Sequence, residues 1–303
     1  MNFSIKNEFD TLKQVVLGIG ENLGEPPSIE NVFDPHSRQH ILQNTYPKEN
    51  QVVSELSQFE AVLIKYNIDV LRPKNIKSIN QVFTRDIGFV IDDVFFVSNI
   101  IQDRKKEIEG IKHILSSFES QKICFLPNGV NIEGGDVLVF NDFIFIGTCS
   151  EYDFLTKKVG RTNESAVDFF KNYFPKKKVF GFELKKSDIL IDENCLHLDC
   201  CFQPLGLGHL LICYDAFKNK KDLDVIDKIF PTKNIIKISN KQMGDLNSNL
   251  FSISKNIVVS NKNFKTINNI LSNLGYKVEE VEYSNIAKMG GLFRCTTLPL
   301  IRI

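Results

Sequence analysis

The chain lacks a surplus of charge: Lys and Arg together number 37, as do Asp and Glu, so the 303 residues carry no net charge at neutral pH. That absence excludes a global field recruiting nucleic acid or an acidic membrane surface, and no large polyanionic partner is expected. No apolar run approaches the length of a membrane-spanning helix, and the first ten residues hold Lys6, Glu8 and Asp10 with no apolar core behind a basic head. The expectation is a soluble, unexported, cytoplasmic protein. The seven cysteines form no CxxC pair and no finger-like set, so neither a disulfide framework nor structural zinc is suggested and a reducing compartment fits. Tracts rich in Pro, Gly/Ser or one charge are also missing, which favours one domain over residues 1–303. Tryptophan is absent while Asn, Lys, Ile and Phe are frequent, a matter of composition with no bearing on chemistry.

What is present is a hydrophobic fraction of 43%, ample for a large core, and it is laid out as a repeat of pattern. Residues 89–97 are two short apolar runs around Asp92-Asp93, and residues 137–146 repeat this around Asn141-Asp142. Residues 201–213 and 250–259 return the same form, with turns at Gly206–Gly208 and Lys255-Asn256, so four β-hairpins are predicted. Each is followed by a polar segment of helical spacing (104–118, 163–173, 221–230, 263–274) and a short apolar strand (123–126, 178–182, 234–238, 276–282). A partial unit at the front (12–18, 49–66, 69–71) and a closing strand near Cys295 complete a fifth. Five ββαβ-like units, none able to bury its own face alone, imply an α/β ring with helices outside and strands lining a central channel.

Polar groups recur at the same place in each unit. Asp86 precedes the first full hairpin, Glu133 the second, His197 and Asp199 the third, Asn249 opens the fourth, and Cys295 follows Gly290-Gly291 and Arg294 in the fifth. Singly each has an ordinary structural explanation; the shared register is what favours function. In a ring these places converge, giving a thiol, an imidazole, several carboxylates and an amide around one channel. A thiolate attacks an electrophilic carbon, an imidazole passes protons, and paired carboxylates hold a cation rich in N–H donors. A guanidinium meets all three requirements. Cys295 is the candidate nucleophile, its thiolate favoured by the adjacent Arg294 guanidinium; Asp86 and Glu133 are the carboxylate pair that fixes the guanidinium; and His197 protonates the amine that departs as an S-alkylthiouronium forms on Cys295.

The segments 83–86 (FTRD), 133–136 (EGGD), 197–199 (HLD) and the GG..RC ending resemble the arginine deiminase and amidinotransferase superfamily, and residues 7–18 resemble the opening strand of the amidinotransferases. The resemblance spans nearly the whole chain. It implies the five-bladed ββαβ propeller, or pentein fold, with pseudo-five-fold symmetry around a central channel. It also implies Cys295 as nucleophile, His197 as general acid and base, and Asp86 and Glu133 as guanidinium ligands joined by Asp199. Asn249 joins the substrate contacts, and Arg104 and Arg161 take the places of arginines that meet the substrate carboxylate, with residues 151–160 inserted before the second.

The chain is too short for the added helical domain of bacterial catabolic deiminases. The single-domain dihydrolases place an asparagine where Asp86 stands, which weighs against two rounds of hydrolysis. Hydrolysis of the guanidino group of L-arginine or a related compound is favoured, with amidino transfer to an amine acceptor as the alternative. A non-catalytic binding module of the same fold, like the archaeal and eukaryotic initiation factor, is the minor alternative, since the thiol, imidazole and carboxylates are all retained. Neither cofactor nor metal is expected. Cys195, Cys200 and Cys201 flank His197, but their spacing alternates across a strand without a fourth ligand, and Gly206-Leu207-Gly208 lacks the context of a dinucleotide loop. The expected partner is a small guanidino compound, with neither nucleic acid nor membrane, and self-association is left open. Residues 20–43, polar and without clear periodicity, are expected over the channel mouth, where they would influence substrate choice.

Overall fold

The computed structural model describes residues 2–303. Among them the strands form five three-stranded sheets, each built as a hairpin whose second strand also pairs in parallel with a strand returning after a helical segment. Gly88–Ile91 and Val94–Val97 are antiparallel, with Phe89 opposite Phe96, and Val94–Val97 runs parallel to Ile123–Phe125. Val137–Phe140, Phe143–Thr148 and Lys178–Glu183 repeat the arrangement. So do Phe202–Pro204, Leu210–Ile212 and Ile235–Lys237, and Phe251–Ser254, Ile257–Asn261 and Lys277–Val281. The fifth sheet joins the two ends of the chain: Thr297–Arg302 pairs antiparallel with Leu12–Leu17, which pairs in parallel with Asp69–Leu71. The first two hairpins turn through left-handed residues at Asp92 (φ 54°) and Asn141 (φ 55°), a conformation that Asp and Asn tolerate better than most side chains.

Each sheet needs cover, and the helical segments supply it. In Glu49–Lys65 the residues Val52, Leu56, Phe59 and Leu63 recur every three or four positions and are all buried. Phe59 meets Phe251, Tyr283 and Phe293 edge-on at centroid distances of 5.8, 5.8 and 5.1 Å; Phe59→Ala would cost about 3–5 kcal/mol. Two segments differ from expectation. The stretch read as one helix over 104–118 is a 3-10 helix, Gln102–Ile111, passing into a single α-turn, Lys112–Leu115. At Gly110 a Cβ would lie 2.2 Å from the Gln81 amide, so this segment is laid close against its neighbour. Residues 20–43 contain an α-helix, Pro35–Leu42, capped by the Asp34 side chain accepting from the Ser37 N–H at 2.8 Å. Its sequence lacks an apolar stripe, so only the Asp-Pro start marks it.

Candidate active site

The loops at one end of the sheets surround a cavity of about 610 Å³, well within the usual range for small-molecule sites. Asp86, His197 and Cys295 line it, together with Arg104, Arg161 and Glu107 and, from residues 20–43, Leu23 to Pro27, Phe33, Asp34 and Ser37. Part of that segment therefore lines the cavity.

His197 is buried, and its ring rests directly on Gly135, where a Cβ would come within 2.7 Å of the imidazole. The second glycine of the EGGD segment is thus a matter of space. Nε2 of His197 lies 2.9 Å from Glu133 Oε2, and Nδ1 lies 3.8 Å from Asp86 Oδ1. Burial opposes the charged imidazole, but Asp86, Asp136 and Glu133 outweigh it and push the His197 pKa up to about 9. The histidine is held as imidazolium at neutral pH, with Nδ1 the ring atom left to exchange a proton. Asp136 anchors the turn beyond it, accepting from the Leu198 N–H at 2.9 Å and the Thr162 hydroxyl at 2.6 Å. Lys186 grips the chain just before it through the carbonyls of Cys195 and Leu196 at 2.9 and 2.7 Å.

Cys295 is 4% exposed. Gly290 turns the preceding chain with φ +85°, and at Gly291 a Cβ would fall 2.5 Å from the Phe83 ring, so the double glycine folds the loop tightly under the thiol. Asn249 clasps this loop: Oδ1 accepts from the N–H groups of Arg294 and Cys295 at 3.1 and 3.3 Å, and Nδ2 donates to Cys295 Sγ at 3.2 Å. Arg294 favours the thiolate in direction, as expected, but too weakly to prevail. Its guanidinium turns into the interior, where it bonds Glu8 at 3.2 Å, Asp199 at 2.7 Å and the Val137 carbonyl at 2.6 Å. Burial, then Asp199 and Asp86, push the Cys295 thiol well above the ordinary cysteine value, and the nearby Leu292 backbone and Arg294 offset this only in part. The resting protein holds a thiol.

Five other expected site residues meet a different geometry. Glu133 is fully buried and does not line the cavity: Arg161 Nη1 donates to both its oxygens at 3.1 and 3.0 Å, and His197 takes Oε2. Burial would raise its carboxyl, but Arg161 and then His197 hold it well below the usual carboxylate range. Asp199 is likewise buried away from the cavity, tied to Arg294, with Oδ2 4.0 Å from Cys295 Sγ. Asn249 touches the thiol and not the cavity wall. Arg104 and Arg161 do line the cavity, but their donors are taken. Arg104 donates to Asp86 Oδ2 at 2.7 Å and to both oxygens of Glu107 at 2.8 Å. Beyond Glu133, Arg161 bonds the carbonyls of Lys158 at 2.6 Å and Phe33 at 2.9 Å.

One acceptor at the cavity stands unused: Asp86 Oδ1 is buried and has no hydrogen-bond partner. Asp86, Glu133 and His197 also offer ligand atoms within 4.8 Å of one another, but a metal ion there would have to displace the guanidinium groups of Arg104 and Arg161. Sequence reasoning missed Glu8, Glu107 and Lys186, and gave Asp136 no role of its own. Of these Asp136 and Glu8 sat within quoted segments, Glu8 in residues 7–18, without being given a role. Glu107, bidentate with Arg104, is pushed up to about 7 by burial, against the pull of Arg104.

A family model described as N,N dimethylarginine dimethylhydrolase, eukaryotic, matches residues 30–302. An uncharacterized protein of Bacillus subtilis strain 168, YkgA, is 29% identical over 98% of this chain and 94% of its own length. The fold is that of an amidinotransferase of saxitoxin biosynthesis from Microseira wollei, with a TM-score of 0.78 at 16% identity over 99% of this chain and 97% of that one. It is equally that of the N-terminal domain of ArgZ, a cyanobacterial arginine dihydrolase, with a TM-score of 0.78 at 21% identity over 97% and 98%. Both likenesses speak for the five-bladed pentein architecture alone. No helix among the described residues is long and apolar enough to cross a membrane.

Proposed function

The chain belongs to the eukaryotic N,N-dimethylarginine dimethylhydrolase family, within the pentein superfamily of guanidino-modifying enzymes, and from that premise we propose that it hydrolyses the guanidino group of L-arginine or a related compound through a covalent intermediate on Cys295. The observation that carries this reading is the meeting, at one cavity, of a thiol, an imidazolium and a carboxylate with an unused oxygen. A guanidinium donates to Asp86 Oδ1 and brings positive charge to a thiol that burial and two carboxylates keep protonated. That charge lowers the cost of the thiolate, whose proton leaves through the cavity. The substrate thus helps to make its own nucleophile.

The Cys295 sulfur forms a bond to the guanidinium carbon. The tetrahedral adduct expels an amine that takes its proton from His197 Nδ1, leaving the S-alkylthiouronium and a neutral imidazole. Water attacks next, giving its proton to His197, and the carbon–sulfur bond breaks to release a urea-type product and the cysteine. Glu133, screened from substrate by Arg161, orients the imidazole and stabilises its charged form; Asn249 orients the thiol. The revised guanidinium clamp is Asp86 with its neighbours, not Asp86 with Glu133. Residues 1–303 act together as one propeller domain without a cofactor, and the seven free thiols suit a reducing cytoplasm.

Incubation with L-arginine, with and without glycine, lysine or ornithine, followed by mass analysis tests the reaction type. Citrulline and ammonia formed in proportion, insensitive to added amines, is the expected result. Products that form only with an acceptor and without ammonia would replace hydrolysis by amidino transfer.

A further inference from the structure

A second cleft, of about 490 Å³, borders helix Pro35–Leu42. The helix and its Asp34 cap are shared by the two: Asp34 and Ser37 line the catalytic cavity, whereas His36, Gln39 and His40, three and four positions apart, line the cleft. The other walls also lead to the thiol. Lys288 of the cleft is followed by Met289 and Gly290 of the catalytic cavity, and Asn247 stands two residues before Asn249, which clasps Cys295.

The cleft gathers hydrogen-bond donors that the chain itself leaves unused. Phe264, Lys265 and Thr266 bring to it the start of the nine-residue helix Lys265–Asn273, which no side chain caps. The first N–H groups of a helix have no partner within it and form its positive end. Independently, Asn261 lines the cleft at 2% exposure: its Oδ1 accepts from the Asn263 N–H at 3.0 Å, while its Nδ2 has no acceptor among the described residues. Asn247, 7% exposed, has a side-chain amide with no partner among them. An amide enclosed in this way is costly unless something meets it. Lys288 adds an ammonium that donates to Asn285 Oδ1 at 3.1 Å and, among the described residues, has no carboxylate partner. The Asp245 carboxylate of the cleft is held by Lys241 at 3.1 Å.

We infer that this cleft is a second ligand site, for a small molecule bearing a phosphate-type oxyanion. A tetrahedral oxyanion accepts hydrogen bonds from several directions, which suits a helix N-terminus, an amide Nδ2 and an ammonium on different walls. The rest of the cleft admits the body of a small molecule. Its occupant bridges helix Pro35–Leu42 to the segments that carry Asn249 and Gly290, so binding holds that helix against the catalytic cavity and limits access to Cys295.

Isothermal titration calorimetry of the full chain with inorganic phosphate, and with acetate for comparison, tests the site. Saturable phosphate binding, tighter than that of acetate, is expected. It should weaken at least about tenfold in Asn261→Asp, which keeps the Oδ1 acceptor and puts a negative oxygen in place of the donor, and in Lys288→Ala. Lys288 is only partly buried, so its variant decides the matter if Asn261→Asp folds poorly. Phosphate should also slow alkylation of Cys295 by neutral iodoacetamide in the wild-type chain and not in the variants, a readout that needs no turnover and stands apart from the guanidino reading. No saturable binding, binding no tighter than acetate, equal affinity in the variants, or binding that leaves alkylation unchanged would each overturn the inference.

Discussion

Two clusters of carboxylates and arginines lie deep in this protein, and chain neighbours are split between them. Asp86 and Glu107 with Arg104, Arg161 and His197 border the cavity, with Glu133 buried behind Arg161 and His197. Glu8 and Asp199 with Arg85, Arg294 and Arg302 are buried, and none of the five lines it. The first cluster has an acceptor to spare, Asp86 Oδ1. The second has more cations than carboxylates and leaves donors over on Arg85 and Arg302; burial and the neighbouring Arg294 lower these two guanidiniums to about 9 and about 10, with Glu8 acting in the opposite sense. The same residue types therefore serve opposite ends. An unused acceptor beside a cavity invites a cationic ligand, whereas ionic contacts closed off from solvent join the first and last segments of the chain, as Glu8 does with Arg294.

The sharpest way to break this comparison is Arg294→Met. Removal of that guanidinium leaves Glu8 and Asp199 buried without their partner, so a loss of about 3–5 kcal/mol in urea unfolding is expected. A variant that stays stable and loses only turnover would move Arg294 into the catalytic cluster. Its neighbour should behave in the opposite way. Cys295→Ala is expected to cost about 1–2 kcal/mol in stability while turnover of a guanidino substrate falls by at least about a hundredfold. A residual rate above that level would remove covalent catalysis from the account.

Glu133→Gln has the smallest expected effect, a loss of about 2 kcal/mol in transition-state stabilisation read as kcat/KM. Its pH profile carries more information than its size. The carboxylate helps to raise His197 to about 9, so its removal lowers that pKa. The imidazolium needed to protonate the leaving amine is then lost at lower pH, and the alkaline limb should shift downward from about 9. An unmoved limb would separate Glu133 from His197 in function.

The fold was legible because each unit writes the same physical pattern: two apolar runs around a turn able to take a left-handed residue, a segment of helical period and a short apolar strand. Helix Pro35–Leu42 escaped because it has no apolar stripe, and Gln102–Ile111 departed from an α-helix where Gly110 comes close against Gln81. Most site residues within quoted segments could be found; Glu8, although inside residues 7–18, and Glu107 could not, since a lone glutamate in a polar stretch looks like a solvated one. The weight of Arg294 was overestimated for a related reason. Adjacency in sequence suggested that it sets the state of Cys295, yet its guanidinium points toward Glu8 and Asp199 and only partly offsets the burial of the thiol, and which way a side chain turns is settled by partners distant in sequence. The same holds for Arg161, whose contacts with Phe33 and Glu133 no local spacing announces.

The central claim is that Cys295 becomes a nucleophile when a guanidinium-like cation enters the cavity. Chloroacetamidine, a cationic amidine electrophile, and neutral iodoacetamide can be compared on the full chain at neutral pH, with the modified cysteine located by peptide mass analysis. Chloroacetamidine should alkylate Cys295 far faster than iodoacetamide does and in preference to the more accessible Cys124, and a guanidino substrate should protect it. Equal reactivity of the two reagents at Cys295, or chloroacetamidine labelling that favours Cys124, would contradict the claim.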